Sequence, residues 1–345
     1  MHPYYPARPI VDQSLEPIGA LQYNSATSDW EIVDTAAENA WIHARTAPDL
    51  SALRVVSYNV LSSPILNAWT CEETRWQHIL DNILPDANAD VYLLNEVSAA
   101  FWRMALDRDW VRSGYYVSEY HFNNGPRNNM IISRLPLLNL SRETRNERRS
   151  YLAKLQLNRN VALWVVAAHL HAQYPGALIR RSQLDAIYQY LATTCDQKDA
   201  VLIMGDLNFH NERENVNILP PFYDVWRSLN PVPNGNDDTD PNNPWTEQQR
   251  GVTFDVPNNP MVNVMALAFC HRMRLDRALF RPATILQASS SSNNNNNSTN
   301  EATAEVINPT SMEIFAKDPV SPLTPDLLPS DHYALKLDFA IGTPK

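Results

Sequence analysis

From residue 53 onwards the chain repeats one pattern, a short apolar run of the length of a buried strand. The clearest runs are LRVVSYNVL (53–61), DVYLLN (90–95), ALWVVAAHL (162–170) and AVLIM (200–204). Apolar residues at helical spacing lie between these runs, over Arg75–Leu84 and Gly176–Thr193. Strands interspersed with helices in this way predict an α/β sandwich, with packed sheets and helices on the outside.

The same criteria divide the chain into segments. Further strands are predicted at Asn129–Ser133, Tyr151–Leu157, Leu275–Phe280 and Tyr333–Phe339, and a helix is predicted after Ser98, which can cap it. Residues 51–340 are predicted to form one domain. Residues 1–50 lack clear periodicity, so they are treated as an N-terminal extension of unknown role with a short helix at Ala36–Ala44. Two polar, low-complexity stretches near 234–243 and 288–303 are predicted to be mobile loop insertions.

The charge and the cysteines restrict the class of protein. The formal net charge of −10 argues against a general nucleic-acid coat, but it leaves room for an enzyme that meets nucleic acid through a local basic strip. The three cysteines are far apart and form no C-x-x-C pair, which favours reduced thiols and no zinc site. No signal peptide and no membrane span are expected. These observations predict an intracellular protein of the nucleus or cytoplasm.

Polar residues stand at the ends of the apolar runs, where a rigid strand can present a side chain to a cleft. Asn59 lies inside VVSYNVL and needs a hydrogen bond if it is buried, so a core Asn that ties two loops is the alternative to a functional one. Glu96 follows VYLLN, where a buried carboxylate requires either a salt bridge to an Arg or a metal ion. A single firmly held Glu suits Mg²⁺, which keeps several of its waters.

Two further runs end in residues of catalytic type. His169 ends WVVAAHL and His171 follows two residues later, so one is expected to be catalytic and the other to support it, unless His169 is structural. Asp206 and Asn208 follow the strand in VLIMGDLNFH, where Gly205 permits a tight turn. The turn exposes a carboxylate that can accept a proton from water and an amide that can hold phosphate oxygens.

The last candidates lie near the carboxyl end of the chain. Asp276 lies in RMRLDRALF, where a salt bridge to Arg274 or Arg277 is the alternative to a functional role. Asp331 and His332 precede an apolar strand in LPSDHYALKLDF and offer a carboxylate and an imidazole to one pocket, unless the Asp is a cap and the His incidental. The whole set supplies what phosphoryl-ester hydrolysis requires: a metal carboxylate, a water activator and donors to a charged transition state.

A series of short motifs resembles, in the same order, those of the endonuclease/exonuclease/phosphatase superfamily. They are SYNVL (57–61), LLNEV (93–97), RNNMIISRLPL (127–137), AAHLHA (167–172), GDLNF (205–209), RLDRALF (274–280) and PSDHYAL (329–335). The resemblance implies a catalytic domain with a four-layer α/β sandwich, in which helices flank two packed mixed β-sheets. The chain departs from the family at Leu61, where many members carry an acid. Coordination of the metal is therefore expected to depend more on Glu96.

Within this superfamily the chain looks most like the type-2 tyrosyl-DNA phosphodiesterases. GVTFD (251–255), before the arginine-rich strand, and the ending PSDHYALKLDF carry this likeness. The likeness implies a phosphodiesterase that hydrolyses the bond between a protein tyrosine and a 5′-phosphate of DNA. AAHLHA and GDLNFH lack the continuations that this group usually has, so the likeness is weaker there.

The resemblance also implies roles for individual residues. Glu96 is the principal ligand of Mg²⁺, with Mn²⁺ as the alternative, and Asp331 assists there. Asn59 sits beside the metal and the phosphate. Asp206 activates the attacking water, and Asn208 positions that water or the phosphate.

The remaining roles concern the phosphate and the substrate. His169 and His332 stabilise the phosphate oxygens, and either can help the leaving oxygen to depart. The residues expected on the substrate side are Thr253, Phe254, Arg274 and Asp276, with Phe254 offering a face on which a base can stack.

Three groups of basic residues could track a single DNA strand if they border one groove. They are Arg142, Arg145, Arg148, Arg149, Lys154 and Arg159; Arg272, Arg274, Arg277 and Arg281; and Arg180 and Arg181. The alternative is that these residues pair with surface acids. The expected partner is a single-stranded 5′ end of nucleic acid, bound by a monomer.

Two other functions stay open on the sequence. The same chemistry could act on RNA ends, an inositol phosphate or a sphingolipid. A catalytically idle member could instead bind a partner through residues 1–50 or the Asn-rich insertion.

Overall fold

The computed structural model describes residues 15–33, 50–62, 70–120, 128–143, 150–173, 175–231, 251–263, 272–283 and 306–342. The helix predicted at Ala36–Ala44 and the insertions predicted near 234–243 and 288–303 lie outside these residues. In the described ranges no helix is long and apolar enough to cross a membrane.

The described residues contain seventeen strands. They are β1 (Leu15–Pro17), β2 (Ala20–Asn24), β3 (Asp29–Ile32), β4 (Ala52–Asn59), β5 (Val91–Val97), β6 (Tyr116–Ser118), β7 (Asn128–Ser133), β8 (Leu138–Glu143), β9 (Tyr151–Gln156), β10 (Ala162–His169), β11 (Ala200–Asp206), β12 (Tyr223–Asp224), β13 (Phe254–Asp255), β14 (Arg272–Met273), β15 (Asp276–Arg281), β16 (Val306–Phe315) and β17 (Ala334–Gly342).

Helices connect or cover these strands. They are α1 (Glu72–His78), α2 (Leu84–Ala87), α3 (Ala99–Leu106), α4 (Asp109–Arg112), α5 (Ala177–Thr194), α6 (Val225–Leu229) and α7 (Pro260–Asn263). A π-helical turn (Ile79–Ile83) joins α1 to α2, and a 3₁₀ helix (Glu212–Asn217) follows β11.

The described strands form two mixed sheets and one small pair, β13 with β14. One sheet has seven strands in the order β1-β8-β9-β10-β11-β15-β12, and the other has eight in the order β16-β17-β4-β5-β7-β6-β2-β3. The pairs β10–β11 and β4–β5 are parallel, and their neighbours pair antiparallel. The carboxyl ends of two parallel neighbouring strands lie side by side, so the polar residues at those ends are brought together.

Alternating side chains divide the core into layers. On β10, Val165 packs between the two sheets, whereas Val166 packs against the face that α5 covers. On β4, Val55 packs between the sheets and Val56 packs on the face covered by α1 to α4. Period-two alternation therefore makes one side of each strand face the opposite sheet and the other side face helices. The result is a four-layer α/β sandwich with two mixed sheets, as predicted.

The predicted strands and helices that fall within the described residues are all observed, with shifts of a few residues at their ends. The structure adds strands in the segment that was treated as an N-terminal extension of unknown role: β1 pairs with β8 in one sheet, and β2 pairs with β6 in the other. It also adds β16 at a sheet edge. These strands are short or partly exposed, and β16 contains Pro309, so none shows the apolar alternation by which the other strands are found.

The strands β10 and β11 approach each other closely at Gly205, near the end of β11. Its φ is 149°, and a Cβ at this position would collide with the carbonyl oxygen of Ala168 on β10. We expect Gly205→Ala to lower the free energy of unfolding by about 3 kcal/mol or more, because both the clash and the backbone strain are added. Urea unfolding followed by circular dichroism measures this.

Gly114→Ala is the matched control. A Cβ there meets nothing within 4 Å, so we expect a change of less than about 0.5 kcal/mol. Equal effects of the two substitutions would contradict the packing described for β10 and β11.

Candidate active site

The strand register brings together side chains that are far apart in sequence. The parallel pair β10–β11 sets His169 opposite Asp206, and the antiparallel pair β11–β15 sets Asp206 opposite Asp276. In the other sheet, the pair β4–β5 sets Asn59 opposite Asn95, next to Glu96. The ends of these strands form one polar cluster where the two sheets meet.

Asp206 is at the centre of this cluster and is 2% exposed. Its Oδ2 accepts a hydrogen bond from Asn59 Nδ2 at 3.1 Å and lies 3.4 Å from Nε2 of His169. Its Oδ1 accepts from the backbone N–H of Asn208 at 3.1 Å. Groups from both sheets and from the following loop therefore hold this buried carboxylate, which can remain ionised with such partners.

Asn208 is held in the turn that follows. Its φ is 52°, in the left-handed region that asparagine tolerates better than most residues, and its Nδ2 donates to the carbonyl oxygen of Leu170 at 3.1 Å. The strand β10 ends at His169, so the alternation that predicted a shared face does not extend to His171. The backbone N–H of His171 donates to Gln183 of α5 instead.

His332 and Asp276 form a buried hydrogen-bonded pair. Nδ1 of His332 lies 2.7 Å from Oδ2 of Asp276, and Nε2 of His332 points towards Asp206 at 3.8 Å. Burial lowers the pKa of His332, but the charges of Asp276, Asp206 and Asp331 outweigh burial and raise the pKa well above its ordinary value. Asp276 is thus not paired with Arg274 or Arg277, which was the alternative from the sequence.

The residues expected on the substrate side lie at different depths. Thr253 was expected on the substrate side, but it is fully buried and its Oγ1 accepts from the backbone N–H of Asp276 at 3.1 Å, so it supports Asp276. Asp276 was also expected on the substrate side, but it is buried and hydrogen-bonded to His332. Phe254 is partly exposed, and its ring meets the His332 ring at 5.2 Å between centroids, in an edge-on arrangement.

Glu96 is placed by a local break in β5. Its φ is 54°, a conformation that a glutamate rarely adopts, and the pairing of β5 with β7 shifts between Leu94 and Val97. The Oε1 atom of Glu96 lies 3.8 Å from Nε2 of His169. His169 therefore lies between the carboxylates of Glu96 and Asp206.

The cluster fits a divalent cation. Glu96, Asp206, Asp276 and Asp331 are all at most 9% exposed, and Oδ1 of Asp276 is buried without a hydrogen-bond partner among the described residues. Buried carboxylates in this number favour a bound cation, and oxygen ligands suit a hard ion such as Mg²⁺.

Donor atoms of Asp206, Asp276 and His332 lie within 4.8 Å of one another, as in a metal site. Nδ1 of His332 is already engaged by Asp276, however, so only Nε2 is left to bind a metal. The hydrogen bond between His332 and Asp276 fits proton transfer better than metal binding at this point.

Two supporting residues were not found from the sequence. Arg75 of α1 is fully buried and donates to the carbonyl oxygens of Thr70, Val60, Leu61 and Pro329, at 2.5 to 3.4 Å. It therefore ties the loop after β4 to the loop before β17. An arginine on a helix is usually exposed, so nothing in the local pattern marked it.

Ser330 makes a second link between the same loops. Its hydroxyl donates to the carbonyl oxygen of Asn59 at 2.6 Å and accepts from the backbone N–H of His332 at 3.2 Å. Asp331 lies beside it, with Oδ1 at 3.3 Å from the Ser330 hydroxyl. The motif PSDHYAL contained Ser330, but a hydroxyl next to Asp331 and His332 carried no signal of its own.

Comparison with known proteins identifies the family. The family model described as "Endonuclease/Exonuclease/phosphatase family" matches residues 56–332, which include the polar cluster. The chain belongs to this family. Its fold is that of hydrolases that act on phosphodiester bonds. Comparison with curated protein sequences gives no match.

Solved structures of family members share the fold at low sequence identity. TDP2 of D. rerio, complexed with single strand DNA product, has a TM-score of 0.59 at 20% identity, over 84% of this chain and 99% of that chain. TDP2 from C. elegans has a TM-score of 0.58 at 15% identity, over 89% of this chain and 79% of that one. The human Nocturnin catalytic domain with bound sulfate gives 0.52 at 19%, over 85% and 96%. The predicted resemblance to the family is thus confirmed, and the TDP2 and Nocturnin structures share its fold.

Arg274 does not contact a substrate groove. Its guanidinium is buried and binds Asp224 at 2.7 Å and Glu212 at 3.0 Å, and Arg277 binds the same two carboxylates. Arg277 also lies over the ring of Phe209, 5.0 Å from its centroid. The network fastens the loop that follows Asp206 to β15.

Other basic residues are engaged in the same way. Arg180 is buried and forms a two-pronged pair with Glu214, while Arg272 pairs with Asp255. Lys154 pairs with Asp199. For these residues the pairs favour the alternative of pairing with acids; Arg145, Arg148 and Arg149 lie outside the described residues.

Glu212 provides a test of the arginine network. We expect Glu212→Gln to lower the free energy of unfolding by about 3–5 kcal/mol at neutral pH, because Arg274 and Arg277 lose a buried counter-charge. Burial raises the pKa of Glu212, but the charges of Arg277 and Arg274 outweigh it and hold the pKa well below its ordinary value of 4.5.

A depressed pKa stabilises the fold above the unfolded-state pKa, and this stabilisation is lost as the pH falls towards the folded-state pKa. The gap between wild type and Glu212→Gln should therefore shrink below about pH 4.5 in urea unfolding at several pH values. Asp107→Asn is the control: Asp107 pairs with Arg112 on the surface, so the expected change is below about 1 kcal/mol. A gap independent of pH would contradict the assignment to the charge of Glu212.

Proposed function

We propose that the chain is a metal-dependent phosphodiesterase that hydrolyses a 5′-phosphotyrosyl DNA bond or a related nucleic-acid phosphodiester. One observation carries this proposal: Asp206 is a buried carboxylate whose Oδ2 has two imidazoles beside it, with Nε2 of His169 at 3.4 Å and Nε2 of His332 at 3.8 Å. A base and two donors around one point are the arrangement that hydrolysis of a phosphate ester needs.

Each residue of the cluster has a proposed role in that reaction. Asp206 accepts a proton from the attacking water, while Asn208 and Asn59 hold the water and the phosphate in position. The water oxygen forms a bond to phosphorus as the bond from phosphorus to the leaving oxygen breaks. His332 or His169 donates to the phosphate oxygens and gives the leaving oxygen its proton.

The metal is proposed to be Mg²⁺, with Mn²⁺ as the alternative, held by Glu96 with help from Asp331. When bound, the ion offsets the negative charge that develops on the phosphate oxygens in the transition state. The left-handed φ of Glu96 supports this role, because strained backbone persists mainly where surrounding structure and function require it.

The substrate proposal depends on a local surface and not on overall charge. Phe254 is partly exposed beside His332, so its ring can stack on a base next to the scissile bond. A neighbour of the same fold, TDP2 of D. rerio, has been solved with single strand DNA product. We also predict that the protein binds a single-stranded 5′ end as a monomer. The predicted location is the nucleus or the cytoplasm.

The decisive experiment is a hydrolysis panel with added Mg²⁺. It contains 5′-phosphotyrosyl DNA, plain single- and double-stranded DNA, poly(A), inositol phosphates and sphingomyelin. Release of tyrosine from the first substrate supports the proposal, and faster hydrolysis of another substrate moves the protein to that specificity. No hydrolysis of any of them would favour the idle binding protein.

Asp206→Asn tests the proposed base. We expect kcat to fall by at least about 10³-fold, because an amide cannot accept the proton from water. The circular dichroism spectrum should match wild type, since the amide keeps an acceptor oxygen and the shape of the side chain. A variant with the wild-type rate would refute the role of Asp206.

Glu96→Gln tests the metal assignment. We expect Mg²⁺ affinity, measured by isothermal titration calorimetry without substrate, to weaken by more than about tenfold, since loss of even a residue beside a ligand costs about 10- to 100-fold. Asp326→Asn, on the exposed loop before β17, is the control and should leave the affinity unchanged. Unchanged affinity in Glu96→Gln would place the metal elsewhere.

A further inference from the structure

The pairing of β5 with β7 shifts at the two neighbouring polar residues Asn95 and Glu96. Leu93 packs between the sheets and Leu94 packs against the helices, but Val97, three residues later, again packs against the helices. Strict alternation would put residue 96 there instead. An extra residue has therefore been inserted, and Asn95 and Glu96 together oppose Asn129 of β7.

The insertion leaves Asn95 directed at the opposite sheet. Its Oδ1 accepts a hydrogen bond from the backbone N–H of Asp206 at 3.1 Å, and Asn95 is fully buried. A Cβ on Gly205 would lie 2.9 Å from this Oδ1, so the absence of a side chain at Gly205 leaves room for the contact. A side chain of one sheet thus holds the main chain of the other at the residue proposed as the base.

The orientation of the Asn95 amide is itself fixed by hydrogen bonds. Its Nδ2 donates to Oδ1 of Asn129 at 2.8 Å, and Nδ2 of Asn129 donates to the carbonyl oxygen of Ala167 at 3.0 Å. Ala167 lies on β10, two residues before His169. The chain of amides runs from β7 through β5 to β11 and also binds β10, so it joins the strands that carry Glu96, His169 and Asp206.

We propose that Asn95 and Asn129 are positioning residues, which set the main chain of Asp206 and thereby direct its carboxylate; the catalytic part of this inference rests on the proposed function. Each amide uses both its donor and its acceptor in this chain, so a reversed amide would face donor with donor and acceptor with acceptor. Buried polar contacts of this kind select one arrangement of the two sheets in place of several of similar packing.

The test uses the full chain and the variants Asn95→Leu and Asn129→Leu, which keep the branched shape of the side chain and remove its polar atoms. We expect kcat to fall by about 10²-fold with KM changed less than about threefold, because a shift of about 1 Å at the base has an effect of that size. The double variant should lose no more than Asn95→Leu alone, since both residues act through one chain of contacts. If Asn95→Leu does not fold, Asn129→Ala takes its place.

A second readout does not need activity. Hydrogen exchange of the Asp206 amide, followed by NMR, should speed up strongly in Asn95→Leu, because its acceptor has been removed. Val165→Ala, a core substitution on β10, is the control for a general loss of stability. If its thermal stability equals that of Asn95→Leu, Val165→Ala should keep both the wild-type kcat and the protection of the Asp206 amide.

The outcomes separate this inference from the proposed function. If wild type hydrolyses a substrate, Asp206→Asn does not and Asn95→Leu loses no more activity than Val165→Ala, the positioning role is overturned and the proposed function stands. If wild type hydrolyses nothing, the proposed function fails. Hydrogen exchange of the Asp206 amide then tests the positioning role without activity. Loss of protection in Asn95→Leu supports that role, and unchanged protection overturns it.

Discussion

The buried charge of Asp206 is the constraint on which the rest of the site depends. A carboxylate that is 2% exposed stays ionised only if polar groups replace the water that it has lost. Here these groups come from Asn59 in one sheet, from His169 in the other and from the loop at Asn208. Because its partners belong to both sheets, the site exists only when the two sheets are packed in register.

The loops around this carboxylate are held by buried ionic and polar contacts. Arg75 binds backbone carbonyls on both sides of the site, and Glu212 with Asp224 holds Arg274 and Arg277 beneath the loop after β11. Each of these groups would be costly if it were left without a partner, so together they favour a single loop conformation. Rigid loops are what a hydrolytic site needs if a base is to meet a water at a fixed distance.

The arginines used in this way are not offered to a substrate. A chain with a formal net charge of −10, in which acids neutralise the buried Arg274 and Arg277, has little long-range attraction for nucleic acid. Under the proposed function, recognition of the substrate therefore depends on short-range groups beside the phosphate, such as the partly exposed ring of Phe254.

The sequence alone determined the order and type of the main strands and helices, and which polar residues follow them. Apolar periodicity is local, so it found β4, β5, β10 and β11 with Asn59, Glu96, His169 and Asp206 at their ends, while half-exposed edge strands such as β16 carried too weak a pattern. The tertiary structure decided which polar groups meet. Asp276 pairs with His332, 56 residues away, and not with the arginines beside it; Thr253 supports Asp276 from a buried position. These choices follow from strand register and sheet packing, which depend on the whole core and leave no trace in the neighbouring residues.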